Sequence, residues 1–199
     1  ETEVRFAVSY QSALYELGFG RNEKPHIALN SRNGEMKWDE KAISGYQNLG
    51  SNTRVYIYLE TDVKPVSAGV LKDGQVFSGE TAASGRNACI VLDFPDKTTK
   101  IHIRYGISFI DEAQAKKNLE REIKNYDLDQ LISAGSKIWN DVLGKIEVTG
   151  GSEDDKTVLY TSLYRTYERP VNITEDGRYF SAFDGKIHDA DGIPFYTDD

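Results

Sequence analysis

The chain is poor in cysteine and has no long apolar run. Its 199 residues include one cysteine, Cys89, which excludes an internal disulfide and a thiolate-rich metal site. Cys89 lies within the apolar stretch ACIVLDF, and this setting predicts a small buried hydrophobic side chain rather than a reactive thiol. Because no apolar run approaches the roughly 20 residues that a transmembrane helix needs, we expect no membrane span.

Positive charge is also scarce. The sequence has 24 Lys and Arg residues against 32 Asp and Glu residues, a net charge of −8. Nucleic-acid binding needs a clustered positive surface, which this sequence does not show, so nucleic acid is not an expected partner. The sequence also lacks a phosphate-binding glycine loop, a paired-cysteine spacing and a Ser-His-Asp order.

The first 110 residues have the pattern of a β-rich domain. Short stretches rich in β-branched and aromatic residues predict strands, namely VRFAV, HIALN, VYIYLE, SAGVL, ACIVLDF and KIHIRYGISF. Turn signals separate them at Asn33–Gly34 and, as a hairpin before VFSGE, at Asp73–Gly74. Without a helical pattern between them, these strands favour a two-layer antiparallel β-sandwich.

The periodicity changes from strand to helix at Ser108. Ser108 and Asp111 predict the cap of a helix that runs through Lys124. A second apolar stripe at helical spacing begins after Asp127 and ends where Gly144 can stop the helix. These helices predict a linker between the sandwich and a second domain.

The segment after the linker predicts one short strand and one more helix. KIEVTGG has a strand pattern, and Trp139 before it is expected in the core of the domain junction. Ser152 and Asp155 form a capping pair for an amphipathic helix over Thr157–Arg169, which Pro170 stops.

Polar residues concentrate in the loop that follows Pro170. Asp184, His188 and Asp189 are types that can bind a metal or act as acid and base. In a glycine-rich loop, however, Asp more often closes turns by bonding its own backbone. His26 and His102 lie in strand patterns and are expected to be structural or exposed.

Three segments carry motifs of a known family: IRYGISFIDEAQAKKNLEREI, WNDVLGKIEVTGG and YTSLYRTYERPVNITEDGRYFSAFDGKIHDADG. They resemble family 92 of the glycoside hydrolases, the calcium-dependent exo-acting α-mannosidases. The matching positions are Gly106 to Phe109, Ala115, Asn118, Leu119, Glu122, Trp139, Leu143, Ile146, Tyr160 to Tyr164, Pro170, Asp176, Gly177, Tyr179, Asp184 and Gly185. Over residues 1–100 the resemblance is only architectural.

The resemblance implies a mainly β fold in which a sandwich precedes a catalytic (α/α) barrel. We expect a β-sandwich domain over 1–110, truncated at its N-terminus, a helical linker over 111–150, and the first helix of an otherwise missing barrel domain over 151–199. The implied activity is that of an α-1,2-mannosidase which releases mannose with inversion. The implied acid, base and calcium ligands lie beyond Asp199, so this fragment is expected to be inactive and to bind no calcium itself.

Four side chains are the candidates for touching or framing the substrate under this resemblance: Arg165, Asp176, Tyr179 and Asp184. No catalytic or metal-binding role is transferred to any residue of the chain. The sequence departs from the family at Ser181–Ala182, where a glycine usually follows the loop tyrosine.

The resemblance also implies partners and a location. The expected partners are mannose-containing glycans and the missing C-terminal catalytic domain, in an exported bacterial enzyme that is periplasmic, cell-surface or secreted. An alternative is that the sandwich is a stand-alone carbohydrate-binding or interaction module, since aromatic faces can stack on sugar rings.

Overall fold

A computed structural model describes residues 2–20, 23–50 and 52–198 of the chain. The positions Glu1 and Asp199, at which the expected domains begin and end, lie outside the described residues. In the described part, nine strands form one sheet: β1 (Glu3–Val8), β2 (Ser12–Gly18), β3 (His26–Trp38), β4 (Ala42–Gly50), β5 (Thr53–Thr61), β6 (Ser67–Lys72), β7 (Gln75–Ser78), β8 (Ala82–Asp93) and β9 (Lys100–Ser108).

Three helices and four short strands follow in the described residues: α1 (Glu112–Glu122), α2 (Leu128–Leu143), α3 (Glu153–Arg165), β10 (Val171–Asn172), β11 (Arg178–Ser181), β12 (Lys186–Asp189) and β13 (Tyr196–Thr197). The sheet order is β1-β2-β9-β5-β4-β3-β8-β6-β7, and all neighbours are antiparallel. Two separate antiparallel pairs, β10–β13 and β11–β12, complete the chain.

The predicted antiparallel sandwich is confirmed, and its two layers belong to one continuous sheet. Alternate residues of β9 face opposite sides: Ile101 and Ile103 enter the main core, whereas Gly106 lies against α1. That core gathers buried side chains from six strands, β3, β4, β5, β6, β8 and β9. The helices of the described chain pack on the other face of the sheet and do not cover this core. The sheet therefore folds over, and its own strands cover the core from both sides.

The hairpin at Asp73–Gly74 is confirmed, but the turn at Asn33–Gly34 is wrong. Asp73 and Gly74 have φ of 49° and 78° and join β6 to β7, the positive values that a two-residue hairpin needs. Gly34 instead lies inside β3, where a Cβ would come within 1.9 Å of the Tyr46 carbonyl oxygen. This glycine permits a close approach of strands rather than a turn.

Two strands of the sheet, β2 and β4, were not predicted as strands.

The prediction that Cys89 is a buried side chain is confirmed. Its side chain is buried in β8, and burial raises the pKa of the thiol. The thiol is therefore less reactive than an exposed one.

Helices α1 and α2 begin at the predicted capping residues, but α1 ends at Glu122 and does not reach the predicted Lys124. Asp111 caps α1 through Gln114 N at 2.7 Å, and Asp127 and Gly144 delimit α2 as predicted. The role predicted for Ser108 is wrong: it ends β9, and its Oγ accepts from Ile110 N at 2.9 Å.

The third helix starts four residues earlier than predicted and does not reach Arg169. The Ser152–Asp155 capping box is present, so α3 begins directly after Ser152, at Glu153. Beyond Arg165 the backbone bonds shift to a three-residue spacing, and Pro170 disfavours a helical residue before it.

The strand predicted for KIEVTGG is wrong, and Trp139 is not a core residue in the described chain. Lys145 and Ile146 donate to carbonyls three residues back, and the segment through Gly150 forms no strand. Trp139 is 37% exposed and packs with its ring centre 4.5 Å from that of Tyr164.

Candidate functional site

The polar segment after Pro170 is organised by the β11–β12 hairpin. Tyr179 pairs with His188 across it, and Phe180 pairs with Ile187. A turn at Asp176–Gly177, with φ of 49° and 79°, leads into β11. The turn is closed by backbone bonds in both directions between the residues on either side of it.

Tyr179 and Asp184 are connected through one histidine. The Tyr179 ring stacks on Phe195, with ring centres 4.0 Å apart and planes 4° from parallel, and its centre lies 5.5 Å from that of His188. The Nε2 atom of His188 lies 2.9 Å from a carboxylate oxygen of Asp184. This hydrogen bond is the main reason that the pKa of Asp184 is lowered. The hairpin thus presents a carboxylate beside a stack of three rings.

Asp176 belongs to a different set of contacts. One carboxylate oxygen accepts from Gln114 Nε2 at 2.8 Å, and the other accepts from Arg121 Nη1. Both oxygens are therefore engaged by side chains of α1. Arg165 is the exposed last residue of α3, and among the described residues no hydrogen bond or ion pair joins its side chain to the hairpin.

A buried carboxylate that sequence reasoning missed lies next to Asp176. Glu175 is 1% exposed. One of its oxygens accepts from the Phe109 backbone N at 2.9 Å, and the other accepts from Asn118 Nδ2 at 2.6 Å. Two donors on a buried carboxylate provide the compensation that burial of such a group requires.

Two buried amides on α1 extend these contacts. Gln114 Nε2 donates to Asn118 Oδ1 at 3.0 Å, and Arg178 Nη2 donates to Gln114 Oε1 at 3.0 Å. Asn118 also donates to the Ile107 carbonyl at 2.9 Å, which ties the helix to the end of β9. We call Gln114, Asn118, Arg121, Glu175, Asp176 and Arg178 the junction network, because it joins the sheet, α1 and the β11–β12 hairpin.

The sequence contains a pattern that predicts part of the junction network. Gln114 and Asn118 are four residues apart and adjoin the buried Ala115 and Leu119, so two amides lie on the packed face of α1. Buried amides require hydrogen-bond partners, which predicts that another polar segment docks there. The sequence does not say that this segment contains Glu175.

Several motif positions have a packing explanation. A Cβ on Gly106 would lie 2.5 Å from the Ala115 carbonyl oxygen and 2.8 Å from Leu119 Cβ. Only a residue without a side chain lets α1 lie directly on β9 at this point. Glu122 accepts from the Gln11 backbone N at 2.9 Å, so the same helix also holds the β1–β2 turn.

The described residues do not fit a calcium site. Among them, no three His, Cys, Asp or Glu side chains are grouped so that they could hold a metal ion. His188 and Asp189 are consecutive in β12 and face opposite sides, so Asp189 does not join Asp184 and His188. Calcium prefers six to eight oxygen ligands, which one carboxylate and an imidazole do not supply.

Family models match both parts of the chain. The model of the glycosyl hydrolase family 92 N-terminal domain matches residues 1–108, and that of the family 92 catalytic domain matches residues 114–199. The chain belongs to glycosyl hydrolase family 92.

Solved structures of family 92 members share the fold. The inverting mannosidase BT2199 of Bacteroides thetaiotaomicron superposes with a TM-score of 0.87 at 23% identity, over 100% of this chain and 28% of that one. The α-mannosidase BT3965 of the same organism gives 0.87 at 19% identity, over 98% of this chain and 29% of that one. At these identities the likeness shows the fold.

A curated relative matches a shorter part of the chain. An uncharacterized secreted glycosidase of Arthroderma benhamiae is 32% identical over 80 residues, which are 38% of this chain and 10% of that protein. The family 92 chain therefore spans less than a third of the length of the relatives that it matches. None of the helices α1, α2 and α3 in the described residues has the length and apolar character of a membrane span.

Proposed function

We propose that this chain is the N-terminal part of an α-1,2-mannosidase that releases mannose from α-mannosides with inversion. The observation that carries the proposal is the match, in order, to the N-terminal and catalytic domain models of one family. Mannosidases among the solved relatives, one of them named as inverting, support the substrate class. We further propose a sandwich over 1–110, a linker over 111–150 and the start of the catalytic domain over 151–199.

The chain is proposed to be inactive by itself. An inverting glycosidase needs an acid and a base whose carboxyl groups lie roughly 6.5–9.5 Å apart across the scissile bond. Glu175 is buried under two donors, Asp176 is bound through both oxygens, and Asp184 is bound to His188. These contacts favour structural roles for the first two, and we assign no catalytic role to any of the three.

Substrate contacts are proposed for the half-buried Tyr179 and the exposed Asp184 of the hairpin. Tyr179 offers an aromatic ring and Asp184 a carboxylate that can accept sugar hydroxyl groups. Asp176 and Arg165 complete the proposed set, Asp176 by fixing the turn before Tyr179 and Arg165 from the end of α3. Calcium is proposed to bind residues of the catalytic domain outside 1–199, and the parent enzyme is proposed to be periplasmic, cell-surface or secreted.

Hydrolysis assays test these proposals. Residues 1–199, incubated with calcium and either an aryl α-mannoside or α-1,2-mannobiose, should release no mannose. Measurable turnover would show that the acid and base lie within this chain. The protein encoded by a longer reading frame that contains these residues should release mannose. A proton NMR time course should show the β-anomer first, and initial release of the α-anomer would contradict inversion.

A second candidate function is that of a carbohydrate-binding module. The observation that favours it is the ring stack of Tyr179, His188 and Phe195, of which Phe195 is 39% exposed. Calorimetric titration with mannose and α-1,2-mannobiose separates the candidates. Saturable heat without hydrolysis, lost in Tyr179→Ala, supports the module, whereas no heat supports a scaffold.

A further inference from the structure

A cleft of about 740 Å³ lies between the β4–β5 turn and the β11–β12 hairpin. The described residues that line it are Asn48, Gly50, Asn52, Thr53, Arg54, Tyr56, Phe109, Ile110, Phe180, Gly185, Lys186 and Ile187. The two turns approach each other, since a Cβ on Gly185 would lie 3.9 Å from Asn52 Cβ. The volume falls within the range of small-molecule sites.

The charge of this cleft is opposite to that of the chain. The chain carries a net charge of −8, yet the described lining residues include Arg54 and Lys186 and no Asp or Glu. The nearest carboxylate along the hairpin, Asp184, is engaged by His188 and by the Lys186 backbone N. A cleft with two cations and no acid attracts an anion.

The Arg54 guanidinium is held in place by its neighbours. Its carbon atom lies 4.3 Å from the centre of the Tyr46 ring, and its Nε donates to Asn48 Oδ1 at 3.2 Å. Tyr46 lies against the Tyr56 ring, with centres 6.0 Å apart, and the neighbouring Glu35 carboxylate raises the pKa of its phenol. Within the described chain the hydrogen bond of the guanidinium uses Nε, which leaves both Nη groups for a ligand.

These donors match a particular ligand chemistry. Two Nη groups of a fixed guanidinium form paired bonds with a phosphate or carboxylate, and Lys186 adds a point charge. The side-chain amides of Asn48 and Asn52 and the Thr53 hydroxyl can bond sugar hydroxyl groups. The rings of Tyr56, Phe109 and Phe180 supply an apolar surface for the C–H face of a sugar ring.

We infer that this cleft binds an anionic carbohydrate, a sugar that carries a phosphate monoester or a carboxylate. The anion lies on Arg54 and Lys186, and the sugar ring lies between the asparagine amides and the aromatic floor. Asp176, Tyr179 and Asp184 are not among the residues that line this cleft, although Asp184 adjoins it at Gly185. It does not depend on the hydrolase activity proposed above.

Calorimetric titration of residues 1–199 tests the inference with four probes: mannose 6-phosphate, glucuronate, mannose and inorganic phosphate. We expect saturable binding of at least one anionic sugar, at least about ten-fold tighter than neutral mannose and weakened by salt. Binding of only the phosphorylated sugar assigns a phosphate monoester, and binding of only glucuronate assigns a carboxylate. Mannose bound equally tightly, no binding of either anionic sugar, or inorganic phosphate bound as tightly as the sugar phosphate would overturn the inference.

Matched variants locate the site. Arg54→Gln and Lys186→Gln should each weaken binding of the anionic sugar about ten-fold or more, since each removes a charge-assisted contact. Arg32→Gln and Lys97→Gln remove the same charge from exposed positions outside the cleft and should leave affinity unchanged. If the cleft variants and the control variants weaken binding equally, net charge is responsible for the affinity. If neither pair weakens binding, the sugar binds another surface. Thermal melting of each variant checks that the fold is retained.

Discussion

The buried carboxylate of Glu175 links the segment before the β11–β12 hairpin to the end of β9 and to α1. Its two oxygens accept from the Phe109 backbone and from the Asn118 amide in a site that is 1% exposed. Glu175→Gln would turn an NH₂ group toward one of these donors. We expect it to lower the free energy of unfolding by about 1–3 kcal/mol, measured by urea denaturation. Glu120→Gln on the exposed face of α1 should stay within about 0.5 kcal/mol, and equal effects would contradict a special role for Glu175.

Gly106 makes the same junction sensitive to a single methyl group. Gly106→Ala would place Cβ 2.5 Å from the Ala115 carbonyl oxygen, so β9 and α1 must move apart. The expected loss of unfolding free energy is about 1–3 kcal/mol. Gly135→Ala in α2, where a Cβ meets no atom within 4 Å, should instead stabilise by up to about 1 kcal/mol. The same sign for both variants would contradict the packing explanation.

The lowered pKa of Glu16 predicts how the free energy of unfolding depends on pH. Its hydrogen bonds from Lys100, His102 and Arg5 lower its pKa from 4.5 to about 2, the Lys100 bond having the largest effect. Because the folded-state pKa is the lower one, this stabilisation is complete above about pH 4.5 and disappears as the pH falls to about 2. In chemical denaturation, Glu16→Gln should be less stable than wild type near neutral pH, and the difference should shrink over that range. Glu147→Gln, at an exposed position, should stay within about 0.5 kcal/mol of wild type near neutral pH.

At the scale of elements, α3 depends on its cap. Ser152 and Asp155 exchange side-chain and backbone bonds, while no residue of this fully described helix is buried. With little packing to support it, the helix should respond strongly to loss of the box. Ser152→Ala is expected to lower the stability of α3 by about 0.5–2 kcal/mol. The measurement is the hydrogen exchange of the first-turn amides of α3, which should become faster. Ser162→Ala, whose hydroxyl bonds the Val158 carbonyl within the helix, should leave those amides unchanged.

Helix α2 and the segment after it show which element-scale predictions succeed. Asp127 and Gly144 delimit α2 because caps act through atoms a few residues apart. The strand predicted for KIEVTGG fails because a strand needs a partner, and none of the described strands pairs with it. A cap that acts between neighbouring residues, as at Asp127 and Gly144, can thus be predicted locally, whereas an isolated strand cannot.

At the scale of the whole molecule, exposed apolar side chains predict association. Val158 is 66% and Leu159 40% exposed on α3, and Ile138 and Trp139 are exposed on α2. Exposed apolar side chains on these two helices favour contact with another surface. The weight-average mass in sedimentation equilibrium should rise with concentration, and Val158→Gln should reduce that rise. Phe183→Ser, at a fully exposed turn position outside the two helices, should not reduce it, and an equal effect would contradict association through α3.

The sequence by itself determined the features that depend on neighbouring residues. Strand alternation, the caps of α1 and α2, the capping box of α3 and the Asp73–Gly74 hairpin all follow from contacts within a few positions. The motif residues also indicated family 92 correctly, since the models of both family domains match the chain.

Only the tertiary structure decided the features that depend on distant residues. Gly34 could be placed in a strand only once β3 and β4 were paired, and Glu175 became a buried junction residue only through partners 57 and 66 positions away. Asp176, predicted to contact substrate, is bound by Gln114 and Arg121 from 62 and 55 positions away. A carboxylate in a glycine-rich loop has no local preference between solvent, ligand and a buried partner. The folded chain makes that choice by bringing α1 against the hairpin.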